Sequence, residues 1–207
     1  MHGGLIGMVS GPVYIRSRMI GQSEQPWIEA GYRIFALAGP DAIRIEQLAR
    51  EVGISKSSFY HHFADVPVFI ERLLYWHSLR AQEIARKARV CRTVDPDFLR
   101  LLAAHDMDLL FNRQLRIHRN NMAYQLCFQR ANSVVEDEIE SIWAEALGIP
   151  DQPRIARNIF SVVSDLFYQR VTRETLNYAW MVAFLAEVNG FMRDVIRSSG
   201  IQLGQAG

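Results

Sequence analysis

The sequence predicts an all-α protein, built as a small amino-terminal helical domain followed by a larger carboxy-terminal one. Three observations predict it. From Trp27 onward apolar residues recur at three- and four-residue spacings, and no stretch alternates with period two over a useful length. Gly39–Pro40, Asp95–Pro96 and Gly148–Ile149–Pro150 cut that pattern into pieces of helical length. The composition, 49% hydrophobic and 22% charged over 207 residues, is that of an ordinary globular chain. It excludes an acidic disordered chain, a collagen-like repeat and a cysteine-rich secreted scaffold. No run reaches the roughly 18 apolar residues read as a membrane-spanning helix.

The elements follow in chain order. Residues 1–24 hold several glycines, a proline and no helical period, and are expected to form a flexible arm. Arg16 and Arg18 come after the mild apolar stretch, the reverse of a secretory signal. They are candidates for minor-groove contact, and Met19 is an alternative start. Ile28, Ile34, Phe35 and Ala38 share a face of the first helix, which Gly39–Pro40 ends. Ile45, Leu48, Ala49 and Val52 repeat at i, i+3, i+4 and i+7, and Gly53 closes that segment. A short segment, 55–63, follows. Asp65 then caps a long helix over 66–89, with Pro67 tolerated in its first turn.

Beyond it, Asp95–Pro96 opens a helix whose apolar stripe is Phe98, Leu101, Leu102, His105, Leu109 and Leu110. The stretch 112–119 is polar and basic, and 124–131 is apolar again. Ser133 is expected to open a further helix through Ala146, and the last two helices to span 153–170 and 172–198. Both are apolar on more than one face. Ile155, Ile159, Val162, Val163, Leu166 and Phe167 dominate the first. In the second, Leu176, Trp180, Phe184, Val188, Phe191 and Val195 form one stripe, and Met181, Leu185, Met192 and Ile196 another. A surface helix needs one stripe. Two predict an intersubunit four-helix bundle, or else a central core helix in a monomer.

The net charge is +1, so any nucleic-acid contact has to come from a local patch. Lys56 and Lys87 are the only lysines; the other 21 basic residues are arginine. The two cysteines, Cys91 and Cys127, form no metal-binding spacing, which favours free thiols in a reducing cytoplasm.

Residues 46–63 carry the most information. A helix–turn–helix needs a small residue where its helices cross, a turn residue that tolerates positive φ, and apolar residues that lock the angle. Ala49 stands at the crossing, Gly53 at the turn, and Leu48, Val52, Ile54 and Phe59 at the locking positions. The second helix, Ser55-Lys56-Ser57-Ser58-Phe59-Tyr60-His61-His62-Phe63, is apolar only at Phe59 and Phe63. A core hairpin has no use for so many polar groups. A helix entering a major groove does, because lysine reaches guanine acceptors and Ser and Tyr reach phosphates or base edges.

This run, with Ala30-Gly31 and Gly39-Pro40 before it, resembles the DNA-binding domain of the TetR family of bacterial transcriptional regulators. The motif covers about 27–74, a quarter of the chain. The resemblance implies an arm over 1–24, a three-helix DNA-binding domain over 25–74, and a ligand-binding and dimerisation domain over 75–207. It implies that Lys56, Ser57, Ser58 and His61 face base edges and that Tyr60 and His62 contact phosphates. Leu48, Ala49, Phe59, Phe63 and Ile34 would be core, and Gly53 the turn.

Three departures stand out. Arg44 holds the place of a capping Thr or Ser, and would meet a phosphate instead. Ser57 replaces a frequent glycine. Val66-Pro67 stands where a phosphate-clamping lysine is usual, which predicts weaker backbone affinity and a salt slope lower by about one per lost contact. The amino terminus of the helix there would still offer N–H groups to a phosphate.

The region after residue 90 is rich in aromatic and sulfur-containing side chains, which suits an apolar effector pocket. Phe98, His105, Tyr124, Cys127, Phe128, Trp143 and Phe167 are candidate pocket residues. His105, Asn121, Gln125 and Asp165 are candidates to orient a ligand. Ile159, Val163, Phe167, Phe184, Val188 and Phe191 are candidates for the dimer interface. The implied function is a homodimeric, ligand-responsive regulator, a repressor that binds a palindromic operator in the cytoplasm and needs no cofactor. Two other readings remain open. His77, His105-Asp106 and Asp165 have the residue types of HD-type metal phosphohydrolases, although Asp106 and Asp108 also read as the solvated face of an amphipathic helix. A helix–turn–helix that has lost DNA binding is the other. No zinc pattern, phosphate-binding glycine loop or nucleophile–His–acid arrangement is visible.

Overall fold

The computed structural model describes residues 21–198, and among them it contains helices and turns without a strand. The expected arm, with Arg16, Arg18 and Met19, lies almost wholly outside the described residues, as do the side chains of Val195 and Ile196. The helices are α1 (Gln25–Ala38), α2 (Ile45–Val52), α3 (Lys56–His62), α4 (Val66–Ala88), α5 (Leu99–Ala103), α6 (Asp106–Ile117), α7 (Met122–Ala146), α8 (Pro153–Arg170) and α9 (Tyr178–Ser198).

Local chemistry sets the first boundaries. α1 stops at Gly39, whose φ of +85° only glycine adopts without strain. Gly53 ends α2 in the left-handed region at φ +72° and donates its N–H to the Ala49 carbonyl. The Asp65 carboxylate accepts from the Val68 N–H at 2.8 Å and so caps α4.

Two apolar cores follow. The first joins α1–α4 through Trp27, Phe35, Leu48, Phe59, Phe63 and Phe69, all essentially sealed from solvent. It also draws in Leu110, Phe111 and Leu115 from α6 and Tyr124 and Cys127 from α7. The Phe111 ring stacks on Phe35 at 4.1 Å and on Tyr32 at 4.4 Å, which fixes α6 against α1. The second core gathers Phe98, Leu109, Ile139, Trp143, Tyr168 and Met181 from α5–α9 and the segment before them.

Three helix boundaries differ from the sequence reading. The helix expected to run from Asp95–Pro96 through Leu110 breaks between Ala103 and Asp106. His105 there has non-helical backbone, and its carbonyl accepts from the N–H groups of Asp108 and Leu109, opening α6 afresh. Asp106 and Asp108 then occupy the first turn, where the helix dipole favours carboxylates. No helix starts at Ser133. α7 is continuous from Met122, capped by Asn121, whose side chain accepts from the Ala123 N–H at 2.9 Å. The final helix starts at Tyr178 rather than at residue 172. Thr172 and Thr175 each take the other's backbone N–H on their hydroxyls, at 3.2 and 2.8 Å, and those bonds compete with helix formation.

Candidate functional site

The α2–turn–α3 unit puts a polar face on an apolar base. Phe59 and Phe63 are buried, and each packs on Phe69 of α4, at centroid distances of 5.2 and 4.8 Å. Leu48 is buried with them, Ala49 is half-buried, and Gly53 is exposed at the turn. On the other side of α3, Lys56, Ser57, Tyr60 and His61 are exposed, with Ser58 and His62 half-buried. Arg44 is exposed at the start of α2. The Tyr60 ring is 57% exposed and stands edge-on to Phe59, so the rigid core aims a large aromatic side chain into solvent. Trp27 of α1 meets Phe59 edge-on at 5.5 Å, which ties α1 to α3.

One feature of this face escapes a motif reading. Lys56 Nζ lies 3.0 Å from the Glu46 carboxylate of α2, and the hydrogen bond from Lys56 lowers the Glu46 pKa. Any other acceptor that Lys56 meets has to compete with that exposed carboxylate. The signal is Glu46, ten residues upstream, and only the fold of the turn makes it a neighbour.

The expectation that α4 offers its amino terminus to a phosphate meets an obstacle. Asp65 already occupies the Val68 N–H, and Pro67 has no N–H to give. An exposed carboxylate thus stands where a phosphate would dock, beyond the absence of a lysine at Val66.

The larger domain encloses a cavity of about 110 Å³ between α4–α9. Phe98, Trp143, Phe160, Phe167, Tyr168 and Phe184 supply aromatic walls. Of the candidate pocket residues, Phe98, Trp143 and Phe167 line it, whereas His105, Tyr124, Cys127 and Phe128 do not. Tyr124 and Cys127 face the opposite way, into the first core, where Cys127 Sγ lies 3.7 Å from the Leu74 carbonyl. Phe128 packs edge-on against Tyr168 at 5.3 Å. The residues expected to orient a ligand are engaged elsewhere. Asn121 caps α7, Gln125 is exposed, and Asp165 pairs with Arg116 through two 2.8 Å bonds.

The polar wall of the cavity comes instead from His77 on α4, Asp108 and Asn112 on α6, and Tyr168 on α8, all buried. Asp108 is not on a solvated face. It is 1% exposed and is gripped by Arg80 through two bonds, by the Tyr32 hydroxyl at 2.6 Å and by His105 Nδ1 at 3.1 Å. Burial pushes the Asp108 carboxyl up, but those donors outweigh it and hold it below the ordinary carboxylate range. Burial drives His77 down to about 4, against weaker upward pulls from Asn112 and Asp108. His77 is therefore neutral at pH 7. Its Nδ1 lies 2.6 Å from the Tyr32 hydroxyl and its Nε2 2.9 Å from the Asn112 amide, which in turn lies 3.1 Å from the Tyr168 hydroxyl. The visible signal was His77 itself, standing in the otherwise apolar α4 stripe of Leu73, Ala81, Ile84 and Ala88.

The residues of the phosphohydrolase reading are thus held separately. His77 lies inside this polar chain, His105 on Asp108, Asp165 on Arg116, and Asp106 accepts from the Met107 N–H. Among the described residues no three His, Cys, Asp or Glu side chains gather as a metal site.

α8 and α9 present an outward groove lined by Ile155, Ile159, Val162, Val188, Phe191 and Met192. Val162 is 70% and Phe191 66% exposed. Of the candidate interface residues, Ile159, Val163, Val188 and Phe191 line this groove. Phe167 and Phe184 turn inward to the cavity, where they pack at 5.7 Å.

A buried three-helix base, a left-handed glycine turn and a polar exposed third helix define a helix–turn–helix of the DNA-binding kind, carried on a larger helical domain. The comparisons agree. Residues 28–65 match the family of bacterial regulatory proteins described as the tetR family. A crystal structure described as a TetR-family transcriptional regulator from Rhodococcus sp. superposes with a TM-score of 0.54 at 17% identity, covering 84% of this chain and 97% of that one. Curated proteins give no match. Residues 28–65 are thus similar to the DNA-binding domain of the tetR family, and the fold of the chain is like that of a TetR-family regulator.

Proposed function

We propose that the protein is a ligand-responsive transcriptional regulator that binds a palindromic operator as a homodimer and acts as a repressor in the bacterial cytoplasm. The observation that carries the reading is the exposed polar face of α3, with Lys56, Ser57, Tyr60 and His61, fixed on a sealed aromatic base. In this reading residues 25–74 form the DNA-binding domain and 75–207 the effector and dimerisation domain. The outward groove of α8 and α9 meets its copy in a four-helix bundle. Twofold symmetry then sets two α3 helices one DNA turn apart, roughly 34–36 Å. A small organic effector in the α4–α9 cavity changes that spacing and lowers DNA affinity by its differential affinity for the two states, about 1–3 kcal/mol of coupling.

Genomic DNA affinity capture at two salt concentrations tests it, with the Lys56→Ala/Tyr60→Ala double variant as control. Enrichment of one short palindrome, lost in the control, is the expected result. No enrichment above the control at low salt refutes the apo-repressor reading.

A further inference from the structure

The polar wall of the cavity has a donor to spare. The Asn112 side chain brings two N–H groups and one oxygen, and Tyr168 brings one O–H. Their partners are His77 Nε2 and each other. Tyr32 spends its proton on Asp108, so the proton between Tyr32 and His77 belongs to Nδ1. A neutral imidazole that donates from Nδ1 accepts at Nε2. That places the Asn112 amide nitrogen toward His77 and its oxygen toward the Tyr168 hydroxyl, the two ends of an amide having the same shape. One Asn112 N–H then remains without a partner. The opposite orientation leaves that N–H and the Tyr168 proton as well. Asn112 is 8% exposed and lines the cavity, so the leftover donor is buried. The anionic acceptor on this wall is engaged: Asp108 already takes Arg80, Tyr32 and His105. Arg80 and Asp108 also cancel in charge. A charged occupant would find no counter-charge here, and burying it unpaired is costly. Asn132 and Ser164, both half-buried, are the other polar lining residues, and the remaining walls are aliphatic and aromatic.

We propose that the cavity takes a small uncharged, largely apolar molecule carrying one hydrogen-bond-acceptor oxygen, bound through Asn112, and that Tyr32 relays its presence to the DNA-binding domain. This rests on the reading of the larger domain as an effector domain. The relay is geometric. Asn112 touches His77, His77 touches Tyr32, and Tyr32 lies on α1, the helix whose Trp27 packs on Phe59 of α3. An occupant that draws the Asn112 amide toward itself loosens its bond to His77 and so changes how His77 and Asp108 hold Tyr32. An occupant without the oxygen fills the same space and leaves the chain intact.

The test uses full-length protein, three probes and indole N–H resonances. Acetophenone carries the acceptor, α-methylstyrene has the same shape without it, and benzoate adds a charge. Trp143 lines the cavity and reports entry; Trp27 lies in the DNA-binding core and reports the relay. Acetophenone is expected to bind about two- to tenfold more tightly than α-methylstyrene, the net contribution of one hydrogen bond. Benzoate is expected to bind at least about a hundredfold more weakly. Both neutral probes should shift Trp143, and only acetophenone should shift Trp27. Asn112→Leu should abolish the preference for acetophenone. Tyr32→Phe should keep the Trp143 shift and lose the Trp27 shift. Failure of acetophenone to shift Trp143, equal affinity for the two neutral probes, or binding of benzoate as tight as that of acetophenone overturns the ligand class. A Trp27 shift with α-methylstyrene, or an undiminished one in Tyr32→Phe, overturns the relay. The comparison of probes on unaltered protein needs no variant to fold. None of these readouts uses DNA, so failure to bind an operator would refute the regulator reading separately.

Discussion

Gly31→Ala pits two known effects against each other. Gly31 sits inside α1, where alanine is the better helix former by about 0.5–1 kcal/mol. On propensity alone the variant is more stable. The packing says otherwise. A methyl on Gly31 would lie within 2.6 Å of Cε1 of Phe69, closer still to its Cζ, and 3.4 Å from Leu73 Cδ2. Phe69 is fully buried and has aromatic neighbours in Phe59 and Phe63, at 5.2 and 4.8 Å. It has little room to turn aside. Forcing an extra methyl into such a core costs about 1–3 kcal/mol. The net expectation is destabilisation of about 1–2 kcal/mol. At about 2–4 °C per kcal/mol for a chain of this size, Tm falls by several degrees.

Thermal and urea melts followed by circular dichroism read the effect. A double-mutant cycle identifies its cause. Phe69→Leu opens the space the methyl needs, so Gly31→Ala should cost at least about 1 kcal/mol less in that background. A Gly31→Ala protein as stable as the parent, or more so, refutes the packing argument. So does a cycle with no coupling, which would move the loss to some other contact of α1.

Three further expectations follow from particular groups. Burial holds His77 near 4 in the folded chain, against about 6.5 unfolded, so its contribution is fully present above pH 6.5 and is lost as the pH falls toward 4. Urea midpoints should show stability falling by roughly 2 kcal/mol between pH 6.5 and 5, and His77→Gln should flatten that slope. Asp65→Asn keeps a side-chain oxygen on the α4 cap and removes the exposed charge there. Operator affinity should rise at nearly constant stability, as measured by fluorescence anisotropy against salt; unchanged affinity would place α4 away from the phosphates. Phe191→Asp puts a charge in the outward α8–α9 groove, and sedimentation velocity is expected to find the parent dimeric and the variant monomeric.

The first three helices were legible because their determinants are local. Gly39, Gly53 and Asp65 each mark an end by their own backbone chemistry, and the i, i+3, i+4 stripe of α2 needs no tertiary partner to be seen. The exposed polar side of α3 follows from the same periodicity. Where the decisive partner is distant, the reading failed. Asp108 looks like a surface residue until Arg80, 28 residues upstream, and Tyr32, 76 upstream, are brought to it. Tyr124 and Cys127 read as pocket residues from the sequence because α7 is apolar there. That part of α7 is apolar because it closes the first core, with Tyr124 edge-on to Phe35 at 5.8 Å. The break before α6 and the late start of α9 come from side chains that capture backbone groups, and periodicity carries no sign of that.

The division of labour between the two domains runs through α1. Eight of its residues, Trp27, Ile28, Ala30, Gly31, Tyr32, Ile34, Phe35 and Ala36, are buried, far more than one stripe requires. Trp27 serves the recognition unit through Phe59. Tyr32 and Phe35 pack on the larger domain through Phe111. Gly39 is pressed against α6 from the end of the same helix, since a methyl there would lie 3.0 Å from Gln114 Oε1 and 3.1 Å from His118 Nε2. A helix clamped on two sides in a close-packed interior cannot absorb a displacement of α6 by deforming. It has to pass the displacement on or resist it. The long α4, continuous between the two cores, is the obvious lever, and it meets Phe59 of the recognition helix and Phe63 at its end through Phe69. α1 reaches the same Phe59 ring through Trp27. In the proposed regulator, a motion that an occupant of the cavity imposes on α6 would reach α3 by two routes, and the α1 route is the one that begins at a hydrogen-bonded wall of the cavity.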